Sequence, residues 1–567
     1  MSSQPNTSQR VRLTVAMIVR DEQDVLADSL DSVRPLADEI VVVDTGSRDR
    51  TREIAQQHGA KVVDRPWDDD FSAARNTGMA AASGDFVLWL DAGERLAPAA
   101  AGALREFVMA QADPNKVYCL AIEIPPAELL GSAEEVARIR LVPRCSGLRF
   151  TGRVLESVRA TSAALGLTRE LLPWRILRGA RDQQPAVRAE RARRNLRLIE
   201  MEAGESGLDG RLLVGRAEAQ AALGDRAAAA LDFHQAIRTS PQGSLEMLEA
   251  YYGLLSSLDA NAAYRERQLA ICLEALDIYP IDAQLLCVMG GYLQQQDRLD
   301  LAARAFRVAV EHGGVEPEIW HLCDIVGVAI SCLVATLELQ GEEIEAQRVL
   351  DAAVQASPRS QRLRRLMVNL HIKHARTEEA LAHLAQLDVE IRQRAVLRGA
   401  VRGACLAVQQ NWIPAWSNLQ AAYDEGCRDP ICLRWLAVTL ISTGQTQAAA
   451  PIVRQWQQVE PGNAEVHAYL AAVGGAQVES TPSSGLATVA QADPYGPEAM
   501  PQQLPMSQSA ATAAVAASVK AAGTSRPADG RQHRVDSQTS SAAIAPPLPG
   551  GGHLPTSQPV SQPPAAV

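Results

Sequence analysis

Ile40-Val-Val-Val-Asp-Thr-Gly-Ser47 and Phe86-Val-Leu-Trp-Leu-Asp-Ala-Gly-Glu94 decide how the N-terminal part of this chain is read. Each is a short apolar run that ends in an aspartate, Asp44 or Asp91, and then turns at a glycine. A continuous apolar run of this length fits a strand buried on both faces, the habit of parallel sheets. A carboxylate at the C-terminal end of such a strand sits where open α/β sheets bind ligands.

Working outward, strand and helix signals alternate. Leu13 to Val19 reads as a strand. Asp24 to Leu36 reads as a helix with apolar spacing at Val25, Leu26, Leu30 and Val33. Asp49 to His58 is a helix with Gly59 at its C-cap, Lys61 to Asp64 a strand, Phe71 to Ala82 a helix and Asp85 to Leu90 a strand. This alternation predicts parallel pairing with helices on the sheet faces. The segments Val117 to Ile124, Val136 to Val142 and Leu148 to Val158 look β-rich, and a mixed sheet closing over the first half is expected.

From about Arg188 helical periodicity takes over and runs to about residue 474. Gly224, Gly341 and Gly444 each precede a proline by 17 residues: Pro241, Pro358 and Pro461. Ala229, Ala346 and Ala449 follow those glycines by five residues, and Phe233, Leu350 and Val453 by nine. Small residues at fixed places let two helices cross closely, and proline punctuates the next turn. The expected organisation is a disordered N-terminus over 1–10, an α/β domain over 11–185, helical repeats over 186–476, and a disordered Ala/Pro/Ser/Gln-rich tail over 477–567.

The formal net charge of −11 disfavours a nucleic-acid surface. The nine cysteines show no C-x-x-C pair and read as free thiols of a reducing compartment. The apolar run Ile325 to Leu337 is shorter than the ~20 residues of a membrane span. A cytoplasmic protein without a transmembrane segment is expected.

Three segments carry chemistry. Asp44 can accept hydrogen bonds from a base edge or a ribose, or can serve its own turn. Arg75, in Asp70-Phe-Ser-Ala-Ala-Arg-Asn76, can face a diphosphate or pair with Asp44 or Asp91. Asp91 and Glu94 together can hold a divalent cation through oxygen ligands, or line a solvated loop.

Ala16-Met-Ile-Val-Arg-Asp-Glu22, Val43-Asp-Thr-Gly-Ser-Arg-Asp-Arg-Thr51, Phe71-Ser-Ala-Ala-Arg-Asn76 and Leu88-Trp-Leu-Asp91 occur in order. Together they resemble the family-2 glycosyltransferases, in particular the bacterial group whose catalytic domain precedes tetratricopeptide repeats. The resemblance implies a GT-A fold, a Rossmann-like nucleotide-diphospho-sugar transferase domain, followed by an all-α tetratricopeptide-like solenoid. It implies an inverting transferase with a nucleotide-sugar donor, a divalent cation (Mn or Mg), and a protein or glycan acceptor presented by the repeats. By position, Asp44, Arg75 and Asp91 are its nucleotide-sugar residues, and Asp91 opens its metal-facing Asp-x-Asp motif; Glu94, next to the second motif position, could reach the metal, and Glu156 is a candidate general base. Glu156 read by itself is equally a surface glutamate on a strand.

The chain departs from the family at three places. Gly93 stands where the second aspartate of Asp-x-Asp is expected. Leu155 stands where a histidine commonly precedes the glutamate, and Ile176-Leu-Arg-Gly179 lacks another. No histidine occurs between His58 and His234. These departures open an alternative: a degenerate transferase domain acting as a tetratricopeptide interaction scaffold.

Overall fold

A computed structural model describes residues 10–474, apart from 126–132, 180, 182–183, 259–263 and 461–463. Of the segment 1–10 expected to be disordered, residues 1–9 lie outside the described residues, as do the expected tail 477–567 and Pro461.

Three apolar runs, β1 (Leu13–Val19), β2 (Glu39–Asp44) and β4 (Phe86–Trp89), form the centre of the sheet. β3 (Lys61–Asp64) extends it on one side. All four are parallel: Val19 pairs with Asp44, Asp44 with Asp64, and Ala16 with Trp89. The helices α1 (Leu26–Val33), α2 (Thr51–Gln57) and α3 (Phe71–Ala81) make the crossovers. The aspartate-tipped ends therefore lie on one edge.

The second half corrects two expectations. The sheet does not close over the first half; it continues sideways in the order β3-β2-β1-β4-β7-β6-β8-β5. Here β5 is Glu94–Leu96, β6 Lys116–Ile124, β7 Glu134–Pro143 and β8 Thr168–Arg178, with α4 (Pro98–Ala110) and α5 (Arg159–Ala164) between them. Leu148 to Val158 is not a strand but a loop, pinched by a single bridge between Thr151 and Ser157. Its backbone reverses at Leu155, where φ is +54°. The long strand is β8, whose largely exposed side chains give it a weak apolar signal.

The rest is helical. It begins with α6 (Pro185–Ser206), α7 (Gly210–Ala222), α8 (Arg226–Thr239) and α9 (Leu245–Leu258). Gly224, Gly341 and Gly444 sit in the turns within helix pairs at φ +89°, +77° and +80°. The marker residues Ala229, Ala346, Ala449, Phe233, Leu350 and Val453 are all buried between helices. Three further pairs use the same left-handed turn without glycine, at Asp297, Ala375 and Gln410. Those pairs escape a glycine-based repeat search for that reason. Ile325–Leu339 is one buried helix of this array, and no helix among the described residues is long and apolar enough to cross a membrane.

Two attachments fix the repeats to the sheet. A segment after the helix Leu299–His312 returns to add β9 (His321–Leu322) antiparallel to β7. There His321 Nε2 lies 3.2 Å from Glu135 Oε1, and Arg175 Nε donates to Glu135 at 2.8 Å. Glu318 in the same segment pairs with Arg159 and Arg169 of the α/β region. At the other attachment, Val154 packs with Leu198, Ile199 and Leu212 of α6 and α7.

Two outcomes test this architecture. An L-residue in the left-handed region costs roughly 1–2 kcal/mol, and glycine returns part of that as unfolded-state entropy. Gln410→Gly, at an exposed position, should therefore raise stability by about 0.5–1 kcal/mol in thermal unfolding. The His321–Glu135 pair should show a pH window. Its hydrogen bond to His321 pulls Glu135 from 4.5 down to about 2, so that contribution is full above 4.5 and fades as pH falls. Burial pulls His321 down, but the bonds to Glu135 and to the Ile319 carbonyl more than offset this and raise it above 6.5. Its contribution is full below 6.5 and is lost as pH rises through the folded value. The destabilisation caused by His321→Gln should be larger at pH about 5.5 than at pH about 8.5 by urea denaturation; equal losses contradict the pair.

Candidate active site

Asp44 ends β2 with a side chain that is 1% exposed. Its Oδ1 accepts from Ser47 N–H at 3.0 Å and from Ser47 Oγ at 2.5 Å, closing the turn. Oδ2 faces Arg52 Nη1 at 3.3 Å, and Arg52 also holds Asp64. Among the described residues no hydrogen bond or ion pair joins Asp44 to the other candidate residues.

Those others converge. Asp70 caps α3 by accepting from Ala73 N–H at 2.9 Å, which sets the phase of the helix. Arg75 then reaches two carboxylates: Nε donates to Glu156 Oε1 at 2.6 Å and Nη2 to Asp91 Oδ1 at 3.1 Å. Its guanidinium carbon lies 5.2 Å from the Trp89 ring centroid and 5.4 Å from that of Phe150. Burial opposes the charge on Arg75, and Asp91 and Glu156 more than reverse this, raising its pKa. Of the alternatives open to Arg75, the structure shows pairing with Asp91.

Asp91 follows β4 and keeps 37% of its side-chain surface, although Arg75, Arg140 and Arg178 gather around its carboxylate. Its Oδ2 accepts from Arg140 Nη2 at 3.1 Å. Burial favours the neutral acid, but Arg140, Arg75 and Arg178 outweigh it and hold the Asp91 carboxyl far below its usual range.

Glu94 is 1% exposed and begins β5 directly opposite Arg178. Its Oε1 accepts from Arg140 Nη2 at 2.8 Å and Arg178 Nη2 at 2.7 Å, and its Oε2 from Asp91 N–H at 3.0 Å. Gly93 between them has φ +87° and donates its N–H to Ser29 Oγ at 2.9 Å. An aspartate in this backbone conformation would carry left-handed strain of roughly 1 kcal/mol.

Glu156 arrives on the loop that the repeats clamp. Glu202 of α6 accepts from Arg153 N–H at 2.7 Å and pairs with Arg211 of α7. Leu155 lies so close to α7 that a Cβ on Gly215 would come within 2.3 Å of its Cδ1. The residue standing in place of a histidine is thus a packing contact.

The carboxylate pair offers little to a divalent cation as arranged. All four oxygens of Asp91 and Glu94 already accept N–H bonds, and Glu94 is closed to solvent. Arg140 and Arg178 were not among the residues expected from sequence. The signal for Arg140 is a charged residue inside a strand with Val136, Ala137, Leu141 and Val142, which calls for a buried partner; Arg178, at the end of the mostly exposed β8, gives no such signal.

Residues 14–127 match the family model described as glycosyl transferase family 2. That span contains Asp44, Arg75, Asp91 and Glu94, and ends before Arg140, Glu156 and Arg178. A TPR repeat-containing protein of Synechococcus elongatus is 54% identical over 85 residues, 15% of this chain and 21% of that protein. An uncharacterized glycosyltransferase of Rickettsia conorii is 34% identical over 91 residues, 16% of this chain and 32% of that one. The chain thus spans about a fifth to a third of the length of these curated relatives. The crystal structure of a tetratricopeptide repeat protein from Parabacteroides merdae is similar over 47% of this chain and 98% of its own, at 12% identity and TM-score 0.36.

The buried network predicts a large stability effect. Arg140→Met leaves Glu94 to Arg178 alone and should cost on the order of 3 kcal/mol in urea denaturation. The double variant Arg140→Met/Glu94→Gln should lose clearly less than the sum of the two single variants. Additive losses would mean that the two groups do not interact.

Proposed function

We propose that this protein is an inverting glycosyltransferase that moves a sugar from a nucleoside-diphosphate donor to an acceptor presented by the helical repeats. One observation carries the reading. Arg75 joins Asp91, at the ligand-binding edge of the parallel sheet, to Glu156 on a loop held by α6 and α7. The sheet segment lies inside the region that matches glycosyl transferase family 2.

In this reading Asp44 borders the nucleoside, and Arg75 and Asp91 border the diphosphate and ribose. An acceptor hydroxyl oxygen attacks the anomeric carbon from the face opposite the leaving group. The new carbon–oxygen bond forms as the bond to the phosphate oxygen breaks, and its electron pair stays on the departing diphosphate. Glu156 takes the acceptor proton. The acceptor is a polypeptide or glycan. Arg138 of β7 donates to the Glu318 carbonyl of the segment that returns from the repeats, which ties the strand beside Arg140 to the helical array. The nine free cysteines agree with a cytoplasmic setting.

The arginine-filled carboxylate pair and Gly93 favour a second reading, a transferase-like domain that binds nucleotide without turnover and serves as a scaffold. Mass spectrometry of donor hydrolysis across a panel of nucleotide sugars separates the two. Under the first reading hydrolysis is detected, and Glu156→Gln lowers it by about 10²–10⁴-fold while nucleotide binding remains. Nucleotide binding with no hydrolysis of any donor leaves the scaffold.

A further inference from the structure

We propose that this site holds the nucleoside diphosphate with guanidinium groups alone, Arg140, Arg75 and Arg194 taking the electrostatic part of a divalent cation. The inference rests on the reading of this side-chain network as part of a donor site. A bound cation needs carboxylate oxygens free to ligate it. Here Asp91 Oδ1 and Oδ2 accept from Arg75 and Arg140, Glu94 Oε1 from Arg140 and Arg178, and Glu94 Oε2 from a backbone N–H. Recruiting Glu94 to a metal would strip Arg140, 6% exposed, of its buried partner, which is strongly unfavourable.

The donors left over point to an anion. Arg75 Nη1 and Arg140 Nε are buried and have no hydrogen-bond partner. Orphaned buried donors are rare and costly, and phosphate oxygens match guanidinium geometry. Charge agrees. Arg75, Arg140 and Arg178 balance Asp91, Glu94 and Glu156, so the network is neutral without a cation. Arg194 of α6 supplies the excess. Its guanidinium carbon lies 4.9 Å from the Phe71 ring centroid, within the field of Glu156, and no described carboxylate forms an ion pair with it. Arg194 is exposed, with Nη2 donating to Asn195 Oδ1 at 3.2 Å, so its guanidinium is open to an arriving anion.

Isothermal titration of the full chain with UDP, GDP, ADP and CDP, each in EDTA and in Mn2+, tests this. For whichever diphosphate binds, affinity should differ by less than about threefold between the two conditions. Arg140→Met and Arg194→Gln should each weaken binding by about tenfold in EDTA. Arg194→Gln carries the test if Arg140→Met fails to fold. Binding that requires Mn2+ overturns the guanidinium proposal and leaves the donor-site reading standing. Metal-independent binding untouched by Arg194→Gln also overturns it. No binding of any diphosphate in either condition overturns the donor-site reading, and this proposal with it.

Discussion

Three guanidinium groups and three carboxylates, Arg75, Arg140, Arg178, Asp91, Glu94 and Glu156, form one largely buried network, and the site depends on it. Its members come from α3, the turn after β4, the start of β5, β7, β8 and the loop before α5. Each charge is tolerable only because the others are in place, since an unpaired buried ion costs several kcal/mol. The network therefore sets where these six segments sit relative to one another. It also explains why Asp91 stays ionised where burial alone would favour the neutral acid.

The repeats are part of this arrangement. The loop that delivers Glu156 has one internal bridge and otherwise leans on α6 and α7, through Glu202 and through the contact of Leu155 with Gly215. At the second attachment β9 joins β7, the strand that carries Arg140. Strand pairing and ion pairs at one end, and apolar packing at the other, hold the helical array against the sheet and the Glu156 loop.

Much of the fold was legible because it is locally encoded. The runs at Leu13, Ile40 and Phe86, the cap at Asp70 and the turn at Gly59 report on neighbours within a few residues. The repeats were legible where a glycine makes the left-handed turn and hidden where Asp297, Ala375 or Gln410 does. Strand β8 was missed because most of its side chains are exposed, and Leu148 to Val158 was mistaken for a strand because its apolar residues pack on other elements as a loop.

Sequence alone determined that two strands end in aspartates on one edge of an α/β sheet and that stacked helix pairs follow. Local burial patterns and turn chemistry are sufficient for both. Only the tertiary structure decided what those carboxylates bind. The partners of Glu94 lie 46 and 84 residues away in sequence, at Arg140 and Arg178. Their pairing depends on strand order, which no local pattern specifies. The residues expected to await a cation are therefore found neutralised by arginines, because the sheet brings β7 and β8 to the end of β4.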